Sequence, residues 1–162
     1  MITIHRAKVE DVYEIKKLLF NTWTATYSNI YSPEAIELIT SRWHSVVLLT
    51  KQIKNPSLFF SVAKDGNKIV GMCNATLTQG GKVINIQRLH IIPEYQRRGI
   101  GSKLIEEVIK TFPKALKIEL EVEKQNERAL TFYQKQGFQR IGKKTFEIAS
   151  VHMTCVVMEK LV

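Results

Sequence analysis

Apolar residues recur along this chain with two different periods, and the changes of period divide it into elements. Ile2 to Arg6 alternates and predicts a short strand. From Val9 to about Phe20 the period becomes helical, with Val12, Ile15 and Leu19 on one face and charges opposite. A polar stretch rich in aromatics, Asn21 to Tyr31, interrupts the pattern. Ser32-Pro33-Glu34 then predicts a helix start. Ser caps free amides, Pro fits the first turn and Glu opposes the positive helix end. Ile36, Ile39, Trp43 and Val47 continue that helix.

Leu58 to Ala63 and Ile69 to Leu77 read as strands around an Asp65-Gly66-Asn67 turn. Gln79-Gly80-Gly81 turns again into Val83 to Ile92, so an antiparallel meander is expected. Ile100, Leu104, Ile105, Val108 and Phe112 predict a helix through about Thr111. Leu116 to Glu123 alternates Ile118, Leu120 and Val122 against Glu119, Glu121 and Glu123. Asn126 suits the cap of a further helix ending at Gly137, and two strands, Phe138 to about Thr145 and His152 to Lys160, finish the chain. Strand–helix–strand in the middle argues for a parallel pair, and the hairpins argue for antiparallel flanks. The expected fold is α/β (α+β): a mixed central sheet of about seven strands flanked by about four helices.

No repeat and no Gly/Ser/Pro-rich linker divides the sequence, so one domain over residues 1–162 is expected. A chain of 162 residues buries roughly 70% of its extended surface and needs no staple. Cys73 and Cys155 form no C-x-x-C pair, and their apolar neighbours suggest buried thiols rather than a disulfide or a metal site. The N-terminus has no apolar signal core, and no apolar run approaches the ~18 residues of a membrane span. A cytoplasmic protein without a membrane partner is expected. Lys and Arg number 24 against 15 Asp and Glu, a formal charge of +9. This favours an anionic partner.

Chemistry concentrates in two segments. In Leu89-His90-Ile91-Ile92-Pro93-Glu94-Tyr95-Gln96-Arg97-Arg98-Gly99-Ile100-Gly101-Ser102 a strand ends, a basic Gly-containing loop follows and a helix begins. Glycines allow close backbone approach, free helical amides suit an anion, and Arg97 and Arg98 add positive charge. A diphosphate would suit such a loop, although solvated arginines on an ordinary turn read the same way. It is neither a Walker A loop nor a dinucleotide fingerprint. The second segment is Asn126-Glu127-Arg128-Ala129-Leu130-Thr131-Phe132-Tyr133-Gln134-Lys135-Gln136-Gly137-Phe138.

Together the two segments resemble the GNAT family of N-acetyltransferases. The family's pyrophosphate loop, Q/R-x-x-G-x-G/A, is matched by Gln96, Gly99 and Gly101. Its later signature, N-x-x-A-x-x-F/L-Y-x-x-x-G-F, is matched by Asn126, Ala129, Phe132, Tyr133, Gly137 and Phe138. The resemblance covers nearly the whole chain except residues 21–57. It implies that acetyl-CoA, with no metal, lies in a gap between the strand ending near Ile92 and the strand Leu116 to Glu123. Leu89, His90 and Ile91 would border the pantetheine arm. Gln96, Arg97, Arg98, Gly99, Ile100, Gly101 and Ser102 would hold the pyrophosphate, and Asn126 would touch the arm.

The resemblance also implies roles in catalysis. Tyr133 matches the family tyrosine near the CoA sulfur and is the expected general acid. Glu121, twelve residues earlier, is spaced as in the glutamate–tyrosine pair of ribosomal-protein alanine N-acetyltransferases and is the candidate base. A solvated strand face explains Glu119, Glu121 and Glu123 equally well. Gln87 stands where related enzymes often carry a glutamate and cannot act as a base, and His90 on an apolar strand reads mainly as a packed histidine.

Trp23, Tyr27 and Gln87 are candidate acceptor-binding residues, although Trp23 and Tyr27 read equally well as helix-packing residues. The stretch Trp23 to Tyr31 resembles the same region of small polyamine-acetylating members, where aromatics would face a charged amine. The acceptor remains open between a small amine or polyamine and a protein amine. An acyl-CoA-sensing module with little turnover is the alternative. No nucleic-acid motif is present, and a monomer or homodimer is expected.

Overall fold

The computed structural model describes residues 1–162. Seven strands form one sheet: β1 (Ile2–Arg6), β2 (Phe59–Asp65), β3 (Lys68–Thr78), β4 (Val83–Ile91), β5 (Lys117–Glu123), β6 (Gln139–Ile148) and β7 (Val151–Leu161). Their order across the sheet is β1-β2-β3-β4-β5-β7-β6. Only the central β4–β5 pair is parallel, bridged by helix α4 (Ile100–Thr111); every other pair is antiparallel. The other helices are α1 (Val12–Tyr27), α2 (Pro33–Trp43), α3 (Val46–Lys54) and α5 (Glu127–Lys135).

Two helical boundaries differ from expectation. Helix α1 does not stop near Phe20. Ile15, Leu19, Trp23 and Tyr27 continue at a spacing of four, and all are buried. The exposed Asn21, Thr24 and Thr26 on the opposite side give this last stretch its polar look. The helix expected to run through Val47 breaks at His44. Ser45 caps a separate helix α3 by accepting from the Leu48 amide at 3.1 Å, and α3 buries Leu49 and Ile53. Val47 then points outward, 80% exposed.

The sheet is coated on both faces. Helices α4 and α5 cover one face, where Ile84, Leu104, Ile105, Val108, Ile118 and Met158 are fully or almost fully buried. Helices α1 and α3 cover the other around Phe60, Ile15, Leu19 and Met72. A third cluster joins α1 and α2 to β7 through Trp23, Tyr27, Ile36, Ile39 and Met153.

Two departures from regular pairing shape the centre of the sheet. The β3–β4 register shifts between Asn74↔Arg88 and Ala75↔Ile86, leaving Gln87 as an extra residue in β4. Strand β5 pairs with β4 only from Val83↔Lys117 to Ile86↔Leu120. Beyond that point the two strands part, and a gap opens between the end of β4 and the end of β5.

Candidate active site

The gap is bordered by backbone without strand partners. Antiparallel pairing alternates its hydrogen bonds between the two sides of a strand. The Ile92 amide donates to the Val70 carbonyl on β3 at 3.0 Å. Arg88 and His90 therefore also turn their backbone groups toward β3, and Leu89 and Ile91 turn theirs toward the gap. His90 reaches the gap only with its ring. The Ile91 carbonyl already accepts from Gln96 Nε2 at 3.0 Å, while Gln96 Oε1 accepts from Arg128 at 2.8 Å. The Gln96 side chain is thus spent on fastening the loop to β4 and α5.

The loop after β4 presents amides. Gly99 is the N-cap of α4 with φ +76°, and Arg97 also adopts a positive φ of 62°. The first backbone bond of α4 runs from the Lys103 amide to the Gly99 carbonyl, so the amides of Ile100, Gly101 and Ser102 lack backbone acceptors. They point along the positive end of the helix, the geometry that suits a phosphate. A Cβ on Gly99 would meet nothing within 4 Å, which marks open space above the loop. A Cβ on Gly101 would approach Phe132 Cζ to 2.9 Å, so α5 packs here against bare backbone. Arg97 borders the resulting cleft of about 660 Å³, together with Leu89, Ile91, Gln96, Gly99 through Ser102, Asn126 and Tyr133. Arg98 does not. Its guanidinium lies over the Tyr95 ring, 4.6 Å from the centroid.

A second hollow, about 410 Å³, lies against the α1–α3 side of the sheet. Trp23, Tyr27, Gln87, Arg88, Glu121, Glu123 and Phe146 are among its walls. The Trp23 and Tyr27 rings sit 4.4 Å apart, and Trp43 stands edge-on to Trp23 at 5.9 Å. Tyr27, Leu89, His90, Asn126, Ala129 and Tyr133 border both cavities, so the two meet at the mouth of the gap.

The side chains at this junction are firmly held. Asn126 caps α5 by accepting from the Ala129 amide at 3.2 Å and donates to the Tyr27 hydroxyl at 3.4 Å. Tyr133 is buried between Phe132 and Phe138, and burial pushes its phenol pKa well above the usual tyrosine range. Thr22 donates its hydroxyl proton to the Leu19 carbonyl and so accepts from His90 Nδ1 at 3.2 Å. Burial and the charge of Arg88 lower the His90 pKa to about 4, leaving a neutral, packed imidazole.

The acids of β5 differ among themselves. Glu119 pairs with Lys117 at 2.7 Å and Glu121 with Lys144 at 2.8 Å. Glu123 is only 5% exposed and accepts from the Gln125 amide at 2.7 Å. A uniformly solvated face does not describe these three residues. Gln87 is exposed and accepts from Asn74 Nδ2 at 3.3 Å. Sequence reasoning passed over Arg88, His44 and Trp43, which also wall this hollow.

Residues 13–138 match the model of the Acetyltransferase (GNAT) family. The chain is 29% identical over 143 residues to a spermidine N(1)-acetyltransferase of Thermoplasma acidophilum, covering 85% of this chain and 88% of that protein. The crystal structure of PaiA N-acetyltransferase from Thermoplasma acidophilum in complex with coenzyme A superposes with a TM-score of 0.87 at 27% identity, over 100% of this chain and 99% of that one. An N-alpha-acetyltransferase RimI of Mycobacterium tuberculosis is 30% identical over 96 residues, 57% of this chain and 59% of that protein. The chain belongs to the GNAT family. It is an acetyl-CoA-dependent N-acetyltransferase.

Proposed function

We propose that the chain transfers the acetyl group directly from acetyl-CoA to a primary amine held in the hollow beside α1 and α2. The observation that carries this reading is the junction of the two cavities at Leu89, His90, Asn126 and Tyr133. A thioester in the cleft and an amine in the hollow would meet there without either crossing the sheet. The free amides of Ile100, Gly101 and Ser102, with Arg97 beside them, would hold the pyrophosphate. The gap-facing backbone of Leu89 and Ile91 would pair with the pantetheine arm. The nearby Asn126 side chain is engaged in capping α5 and bonding Tyr27, so it would act chiefly by fixing the junction.

Two proton movements accompany the transfer. The amine must lose a proton before its lone pair attacks, and the departing thiolate must gain one. Tyr133 would supply the second. Its phenol is protonated, and its packing between Phe132 and Phe138 fixes the ring. Glu121 would accept the first, directly or through water, with Lys144 holding the carboxylate in place. His90 is a poor alternative because its pKa near 4 makes it a weak base. The acceptor class is drawn from relatives whose names specify spermidine and protein N-termini.

The test is thiol release from acetyl-CoA across spermidine, free lysine, short peptides and aminoglycosides. Turnover on one acceptor class supports the reading. Binding of acetyl-CoA without turnover on any acceptor would favour a sensing role.

A further inference from the structure

The acceptor-side hollow has opposite charges on opposite walls. On the β5 wall stand Glu121 and Glu123. On the β4 wall stands Arg88, whose guanidinium donates to Gln52 Oε1 at 2.8 Å and to the Trp43 carbonyl. Both of those acceptors are neutral, and no carboxylate lies within ion-pair distance of Arg88. A partly buried guanidinium with only neutral partners keeps an unmet demand for an anion, and burial already depresses its pKa to about 10.

A second group beside it is also unsatisfied. His44, only 3% exposed, lines the same hollow, and its Nδ1 has no hydrogen-bond partner. Burial, with the positive charges of Arg88 and Lys16 nearby, holds its ring neutral. That Nδ1 is enclosed, so the cationic group that an anion entering the hollow meets is Arg88. The chain as a whole carries +9, which draws anions inward.

We infer that the acceptor is an amine that also carries a carboxylate, taken up by Arg88 while its amino group lies toward Glu121 and Tyr133. The inference rests on the acetyltransferase reading of the same site and narrows its substrate class. A purely cationic polyamine would set positive charge against Arg88. A zwitterionic acceptor satisfies both walls. The carboxylate belongs either to a free amino acid or to a peptide end, and the test separates the two.

Two matched pairs isolate the carboxylate: lysine against cadaverine, and a lysine tripeptide with a free against an amidated C-terminus. The wild-type protein is expected to favour the carboxylate-bearing member of one pair by about tenfold or more in kcat/KM. The pair that shows the preference identifies the source. Equal rates within both pairs, or a preference for cadaverine and the amide, would overturn the inference and leave the acetyltransferase standing. Absence of turnover on every acceptor would overturn both. In Arg88→Gln the preference should collapse toward one, mainly through KM, and Arg88→Lys should restore part of it. An undiminished preference in Arg88→Gln that still binds acetyl-CoA would also overturn the inference. The wild-type comparison holds even if the variant fails to fold.

Discussion

At the scale of single residues, Tyr133 is the most exposed to test. Its hydroxyl proton is the part that matters, because the ring packs in the same aromatic nest with or without oxygen. Tyr133→Phe should lower kcat by about 100-fold while acetyl-CoA affinity stays within a few-fold of wild type, read by stopped-time assays and calorimetry. Wild-type turnover would remove the acid assignment. Glu121→Gln should flatten the acidic limb of the kcat/KM profile against pH, and an unchanged profile would shift the base to water. Arg88 shows why part of this site was hidden in the sequence. Counting by twos from Ile84 and Ile86 puts residue 88 on the core face with them. The extra residue at Gln87 reverses the parity, so Leu89 and Ile91 join the core face while Arg88 and His90 turn to the other. No local residue pattern announces that bulge, whereas the loop motif and the Asn126 to Phe138 signature lie in contiguous stretches and are readable directly.

At the scale of elements, the α4 start and the α4–α5 contact carry separate predictions. Gly99→Glu places a carboxylate where phosphate is expected, in open space. Acetyl-CoA binding should be lost in calorimetry. The positive φ of Gly99 adds a folding cost of about 1 kcal/mol. Retained affinity would mean that the loop does not hold the phosphates. Gly101→Val should act differently, forcing Phe132 aside and disturbing Tyr133 next to it. Activity should then fall through kcat as well as through cofactor binding. The strands of the meander follow from short apolar runs between Gly-containing turns, and the span of α4 from its helical period. Helix α3 does not, because Trp43 and Val47 mimic one continuous helical face. The break becomes visible only when Ser45 is seen to serve as a cap.

At the scale of the whole molecule, buried histidines tie stability to pH. His90 has a pKa near 4 when folded, against an ordinary value of 6.5. Between these values the unfolded chain binds a proton that the folded chain refuses, so stability is full above about 6.5 and declines as pH falls toward 4. His44 shifts in the same direction. Melting temperature followed from pH 7.5 to 4.5 should fall, and His90→Gln should reduce the slope across that window. An identical slope in the variant would show that other groups govern the acid limb.

The early parting of β4 and β5 has a consequence for how the two halves of the sheet hold together. Four residue pairs, Val83 to Ile86 against Lys117 to Leu120, with the Leu116 amide on the Lys82 carbonyl beside them, stitch β1–β4 to β5–β7 along the sheet. A co-substrate held in the proposed place across the remaining seam would act as a removable rung. Each hundredfold excess over its dissociation constant then adds about 2.7 kcal/mol to the folded state. The amides of Leu89 and Ile91 should exchange with solvent slowly when the rung is present and quickly when it is withdrawn. Thermal stability measured against acetyl-CoA concentration should then rise with the logarithm of that concentration.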